Sequence, residues 1–103
     1  MLRILFLLVS CSQVGNESLN REQFENQWWE LSIIPVCFNV HETGELLIHD
    51  EMIYSEGPWK FKEPNSYEIQ DDTFDVERDG DCWKIYMHSQ RLNDIACKCT
   101  LKS

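Results

Sequence analysis

Positive charge is scarce in this 103-residue chain: nine lysines and arginines stand against 18 aspartates and glutamates, a formal net charge of −9. A polyanion of this kind excludes nucleic acid as a partner, because phosphate binding needs basic patches. It equally excludes attachment to anionic lipid head groups by charge attraction. The chain also lacks an apolar run near the ~20 residues that a membrane-spanning helix needs; the run Ile4 to Val9 is far shorter. Missing too are the spacings that mark catalysis: there is no G-x-S-x-G, H-E-x-x-H or P-loop, and no pair of carboxylates stands out from the acidic background. A non-catalytic protein without a cofactor is therefore expected. No internal repeat or low-complexity tract divides the sequence, and its length suits one small domain whose core is marginal and gains from staples.

What is present begins at the N-terminus. Arg3 precedes the apolar run Ile4 to Val9, and Ser10-Cys11 closes it, the order of a charged region, a hydrophobic region and a small-residue cleavage site. A buried first strand is the alternative, but the run shows no alternation and gives way at once to the polar Ser12-Gln13. Leu8-Val9-Ser10-Cys11 resembles the lipobox of bacterial lipoproteins. That resemblance implies a signal peptide over residues 1–10, cleavage before Cys11 and a lipid on its thiol. The chain would then be a lipid-anchored protein of the bacterial envelope, at the outer membrane facing the periplasm, with the membrane as its partner. Several acyl chains make such an anchor effectively permanent. Residues 11–20, polar and small, read as a flexible tether, and residues 21–103 as the folded body.

Removing Cys11 leaves Cys37, Cys82, Cys97 and Cys99, an even number in a compartment that permits disulfides. Cys97 and Cys99 alternate with polar neighbours, so on a strand they share a face with alpha carbons roughly 6.5 Å apart, near the upper limit for a bridge. Each is expected to pair with Cys37 or Cys82 and not with the other. A zinc site built from Cys97, Cys99 and either Cys37 or His41 is the rival, and it lacks the C-x₂-C spacing of structural zinc. No metal is expected.

The body reads as β-structure. Asn20-Arg21-Glu22-Gln23 has the form of a capping box, which predicts a turn or two of helix to about Asn26. Nine short apolar or alternating runs follow: 28–34, 37–41, 46–49, 52–54, 59–62, 67–69, 74–77, 82–87 and 95–101. Turn signals separate them, among them Glu42-Thr43-Gly44, Glu56-Gly57-Pro58, Asp71-Asp72 and Asp79-Gly80-Asp81. Gaps this short allow hairpins and forbid parallel crossovers. The expectation is an all-β antiparallel meander, a small barrel or curled sheet with a short helix before its first strand. Its core draws on Trp28, Leu31, Phe38, Leu46, Ile48, Tyr67, Ile69, Phe74 and Val76, with Trp83, Ile85 and Met87 on one face of their strand. Core filling also accounts for the abundance of aromatic residues better than a ligand platform does.

Phe24-Glu25-Asn26-Gln27-Trp28-Trp29-Glu30-Leu31 resembles the N-terminal signature of lipocalins, F-x-G-x-W-Y-x-I/L. Phe24 matches the phenylalanine, Trp28 the tryptophan that closes the barrel floor and Trp29 the tyrosine, while Asn26 replaces the glycine. The later Phe38…Gly44-Glu45-Leu46…Gly57-Pro58-Trp59-Lys60-Phe61 is similar to the rhythm of small bacterial lipocalin-like lipoproteins. The resemblance implies a barrel that binds a small apolar or amphiphilic molecule. At an open barrel end, Trp59, Tyr67 and Trp83 are the expected ligand contacts. The alternative is a packed body that meets an envelope protein through its acidic surface, as an inhibitor of a cell-wall enzyme or a phage-encoded receptor blocker does. The remaining motifs read blandly. Asp75 to Gly80 opens like a calcium-binding loop, but Tyr86 occupies the position of its bidentate glutamate, and a hairpin turn explains the same residues. His41, His49 and His88 read as isolated surface residues.

Overall fold

A computed structural model describes residues 18–100; Cys11 and the signal-like segment lie outside them. One helical turn, α1 (Arg21–Phe24), precedes eight strands: β1 (Trp29–Leu31), β2 (Cys37–Val40), β3 (Glu45–His49), β4 (Ile53–Lys62), β5 (Ser66–Ile69), β6 (Asp72–Asp79), β7 (Cys82–Met87) and β8 (Leu92–Lys98). Each strand pairs antiparallel with the next, and β1 returns to β8, so the meander closes into a barrel. The all-β class and the helix before the first strand follow the expectation, and the sheet closes fully. Eight up-and-down strands are also the lipocalin layout.

Alternation decides which side chains face inward. Along β7, Trp83 and Ile85 are buried while Lys84 between them is exposed. Phe38, Leu46, Tyr67, Ile69 and Val76 join them from neighbouring strands. Closure falls to the shortest strand. β1 contributes only Trp29 and Glu30 to its ladder with β2, and Trp29, Glu30 and Leu31 to that with β8.

Several expected elements differ, among them β6, which runs Asp72–Asp79 and not 74–77. The runs 52–54 and 59–62 are one ten-residue strand, β4, because Glu56-Gly57-Pro58 forms a bulge instead of a turn. Leu46 pairs with Gly57 and Leu47 with Ser55, which leaves Glu56 as the extra residue. Pro58, which has no N–H to give a ladder, is tolerated beside that bulge. β1 stops at Leu31 instead of Ile34: the Ser32 amide is shared between the Ile95 carbonyl at 3.0 Å and the Asp94 carboxylate at 3.1 Å, and the Ile33 amide turns to that carboxylate at 3.0 Å. β8 starts three residues before the expected Ile95 and ends at Lys98; nothing apolar and alternating marks Leu92-Asn93-Asp94 as strand.

The start of the body is also set locally. The Leu19 amide donates to the Pro64 carbonyl at 2.9 Å, and its side chain packs on the core, so the chain joins the body ahead of Arg21. Asn20 occupies the N-cap of α1 without a side-chain capping bond, and the helix ends at Phe24, short of Asn26. Asn26 has φ +64°, a left-handed conformation that glycine adopts freely and asparagine tolerates. It does so at the position of the signature glycine, and its amide donates to the Val40 carbonyl at 2.9 Å. This reversal carries Phe24 into one end of the barrel.

Candidate functional site

One barrel end is filled. The Phe24 ring, fully buried, lies 5.2 Å from Trp83, 5.6 Å from Tyr67, 6.0 Å from Phe38 and 6.2 Å from Trp29, centroid to centroid. Trp29 seals the position further: its indole N–H donates to the Phe24 carbonyl at 2.8 Å. The floor tryptophan is therefore Trp29 and not Trp28. Successive residues of a strand face opposite sides, so Trp28 lies outside the barrel, edge-on to His49 at 6.0 Å. His49 is buried, which corrects its expected surface position.

The expected ligand contacts belong to this filled end. Tyr67 and Trp83 are fully buried among aromatic neighbours. Trp59 is half-buried and donates its indole N–H to the His41 carbonyl at 2.9 Å, with the Arg21 guanidinium 5.8 Å from its ring. None of the three lines the apolar cavity, which opens at the opposite end, although Trp83 borders a separate, more polar cleft of about 400 Å³ with Leu19, Gln23, Val76 and Arg78.

That cavity has a volume of about 570 Å³, inside the range of about 300–1,000 Å³ typical of small-molecule sites. Its wall is apolar: Phe38, Leu46, Ile48, Ile69, Phe74 and Ile85 face it from β2, β3, β5, β6 and β7. In a meander, alternate connections share one end, so the mouth is ringed by the segments after β1, β3, β5 and β7. The segment after β1 is pinned from within. Buried Asp94 accepts the Ser32 hydroxyl at 2.7 Å, the Ser32 and Ile33 amides, and its neighbour Ile95's amide at 2.7 Å. Burial opposes ionisation of Asp94, but these donors outweigh it and hold the carboxyl below its usual range.

The rim carries polar groups of one sign. Glu56, Asp71 and Asp72 line the mouth with Gln70, Ser89 and Gln90. Sequence reasoning noted Glu56, Asp71 and Asp72 only as turn residues; their shared end becomes legible once β4 is read as one strand. Asp72 is fixed across the rim, accepting the Ser89 hydroxyl at 2.9 Å and the Ser89 amide at 3.2 Å. Gln70, at φ +54°, donates its side-chain amide to the Glu56 carbonyl at 2.9 Å, joining the bulge to the turn after β5.

Outside the mouth, hydrogen bonds and disulfides join segments of the barrel. Ser66 donates to Asp75 Oδ1 at 2.6 Å, and His88 Nε2 lies 3.0 Å from Asp75 Oδ2. The carboxylate stands between hydroxyl and imidazole, an order in which the histidine cannot activate the serine. Asp79 pairs with Cys82 across a two-residue hairpin at Gly80-Asp81, in place of a calcium loop. Cys82 is bridged to Cys97 and Cys37 to Cys99. Glu30, Cys37 and Cys99 bring ligand atoms within 4.8 Å of one another, but the two sulfurs are joined in a disulfide.

Both bridges lie on the outer face of the barrel. Cys82 and Cys97 directly precede and follow the pair Trp83–Ala96, with alpha carbons 4.4 Å apart. Cys37–Cys99 passes over β1, tying β2 to the segment after β8. Glu30 of β1 reinforces that tie by accepting the Thr100 hydroxyl and amide at 2.7 and 3.0 Å. These Thr100 donors hold the Glu30 carboxyl below its usual range. No family model, no curated protein and no solved structure matches this chain.

Proposed function

We propose that the chain is a membrane-anchored lipoprotein of the bacterial envelope, whose non-catalytic barrel binds a small apolar or amphiphilic molecule. The observation that carries the binding role is the apolar cavity of about 570 Å³, open at the end away from the Phe24 plug. A barrel of this size can fill its whole interior with side chains; here aromatic packing stops short and leaves one end hollow. The anchor reading rests on Leu8-Val9-Ser10-Cys11 after its apolar run. The test is native mass spectrometry of the protein extracted from membranes. Co-purified small molecules and a lipidated Cys11 are the expected result; an empty barrel that also takes up no apolar probe overturns the binding role, and an unmodified N-terminus overturns the anchor.

The net charge of −9 favours a second reading, contact with a basic envelope protein. Capture of a basic partner that salt abolishes, by a protein whose cavity stays empty, would favour it over the first.

A further inference from the structure

The rim of the cavity bears on the head group of its occupant. Among the described residues no lysine, arginine or histidine lines the cavity, whereas Glu56, Asp71 and Asp72 do. Among the described residues the ion pairs are Arg21–Glu25, Lys62–Glu68 and His88–Asp75, so none of the three rim carboxylates has a cationic partner. Arg91 belongs to the turn after β7, as Ser89 and Gln90 do, but does not line the cavity. The field reaches Tyr54, also at the mouth: partial desolvation, then the charges of Asp50 and Glu56, push its phenol up.

The apolar side of the rim lies elsewhere. Ile34 and Val36, in the segment after β1, and Tyr54, near the start of β4, line the mouth there. The carboxylates sit at the β4 bulge and the turn after β5. The mouth thus has an apolar lip and an acidic lip above an apolar chamber.

From this arrangement we infer that the cavity takes a cationic amphiphile, an apolar body bearing a protonated amine or quaternary ammonium, in preference to a fatty acid. The apolar part occupies the chamber and the positive head meets Glu56, Asp71 and Asp72 at the rim. A carboxylate head in the same place would face three negative charges and no positive one. This inference rests on the ligand-binding reading above.

The test is calorimetric titration of the full, unacylated chain with n-decylamine, 1-decanol and decanoate, which share one chain length and differ in head-group charge. The amine should bind tightest and decanoate weakest, with a gap of about tenfold that narrows as salt is added. Glu56→Gln combined with Asp71→Asn removes two of the three rim charges and should shrink the gap between the amine and decanol severalfold. An amine that binds no tighter than decanol, or a preference undiminished by the double substitution, overturns this inference and leaves the binding role standing. Failure of all three probes overturns the binding role, and this inference with it.

Discussion

The Tyr67 hydroxyl donates to Glu25 Oε2 at 2.7 Å, joining the wall of the barrel to the residue that follows the plugging helix. The same oxygen accepts Arg21 Nε at 2.6 Å, and the Arg21 guanidinium lies 4.3 Å from the Phe61 ring. One carboxylate thus fixes the angle at which α1 delivers Phe24. Glu25→Ala should cost about 2 kcal/mol, since it strands a buried hydroxyl, and Tyr67→Phe about 1 kcal/mol. Urea denaturation of the two variants should give that order.

The same contact predicts an alkaline effect. Burial, then the hydrogen bond to Glu25 and its charge, raise the Tyr67 phenol above its ordinary value of 10.0. A raised folded value means a contribution that is complete below the unfolded value and is lost as pH rises toward the folded one. The wild type should therefore lose stability more steeply than Tyr67→Phe over about pH 9 to 11. Equal slopes in denaturation series would contradict this.

Asp94 acts in the opposite range. Its folded value is depressed, so its contribution is present above the unfolded value of 3.8 and is lost as pH falls through the folded one. Asp94→Ala removes the acceptor for Ser32 and Ile33 and should cost about 2–3 kcal/mol at neutral pH. In acid its penalty should shrink, and amide exchange should accelerate first at Ser32 and Ile33.

The two adjacent tryptophans should separate sharply. Trp29→Ala empties part of the plug and should cost about 3–5 kcal/mol. Trp28→Ala loses an outer contact with His49, worth about 1 kcal/mol. A larger penalty at Trp28 would restore it as the floor residue.

The bridges should contribute unequally. Cys37–Cys99 spans 62 residues of sequence and Cys82–Cys97 spans 15. Chain entropy then assigns about 4 kcal/mol to the first and about 3 kcal/mol to the second. Paired serine substitutions, compared by chemical denaturation, should show the larger loss for the 37–99 pair.

Gly57 should resist substitution. Its φ is +113°, and a Cβ there would lie 2.8 Å from the Gln70 side-chain nitrogen, which holds the Glu56 carbonyl. Gly57→Ala should cost about 1–3 kcal/mol through backbone strain. The accompanying loss of the Gln70 bond should appear as faster amide exchange at the turn after β5.

The strands were legible because alternation at Trp59-Lys60-Phe61 and Trp83-Lys84-Ile85 follows directly from a half-buried sheet. The cysteine pairing was partly legible, since Cys97 and Cys99 on one face must look outward in space for partners. The polarity of the barrel was hidden in one tripeptide. Glu56-Gly57-Pro58 has the composition of a turn, but a turn there would reverse every later strand and exchange the two barrel ends. A local signal cannot distinguish a bulge from a turn when both need glycine at positive φ. The one-residue offset between Trp28 and Trp29 is the same difficulty in miniature: adjacent aromatics satisfy either face, and only the neighbours of Phe24 choose between them.

The bridge from Cys37 to Cys99 also has a mechanical meaning. Tension applied between the two ends of the chain would enter at Leu19, pass through α1 and the three-residue β1, and reach Cys37. Once the contacts of that segment with the barrel give way, the load crosses the sulfur–sulfur bond straight to Cys99 and bypasses residues 38–98. The short first strand is then a fuse: it can pull away from its neighbours while the covalent ring that carries most of the cavity wall stays slack and folded.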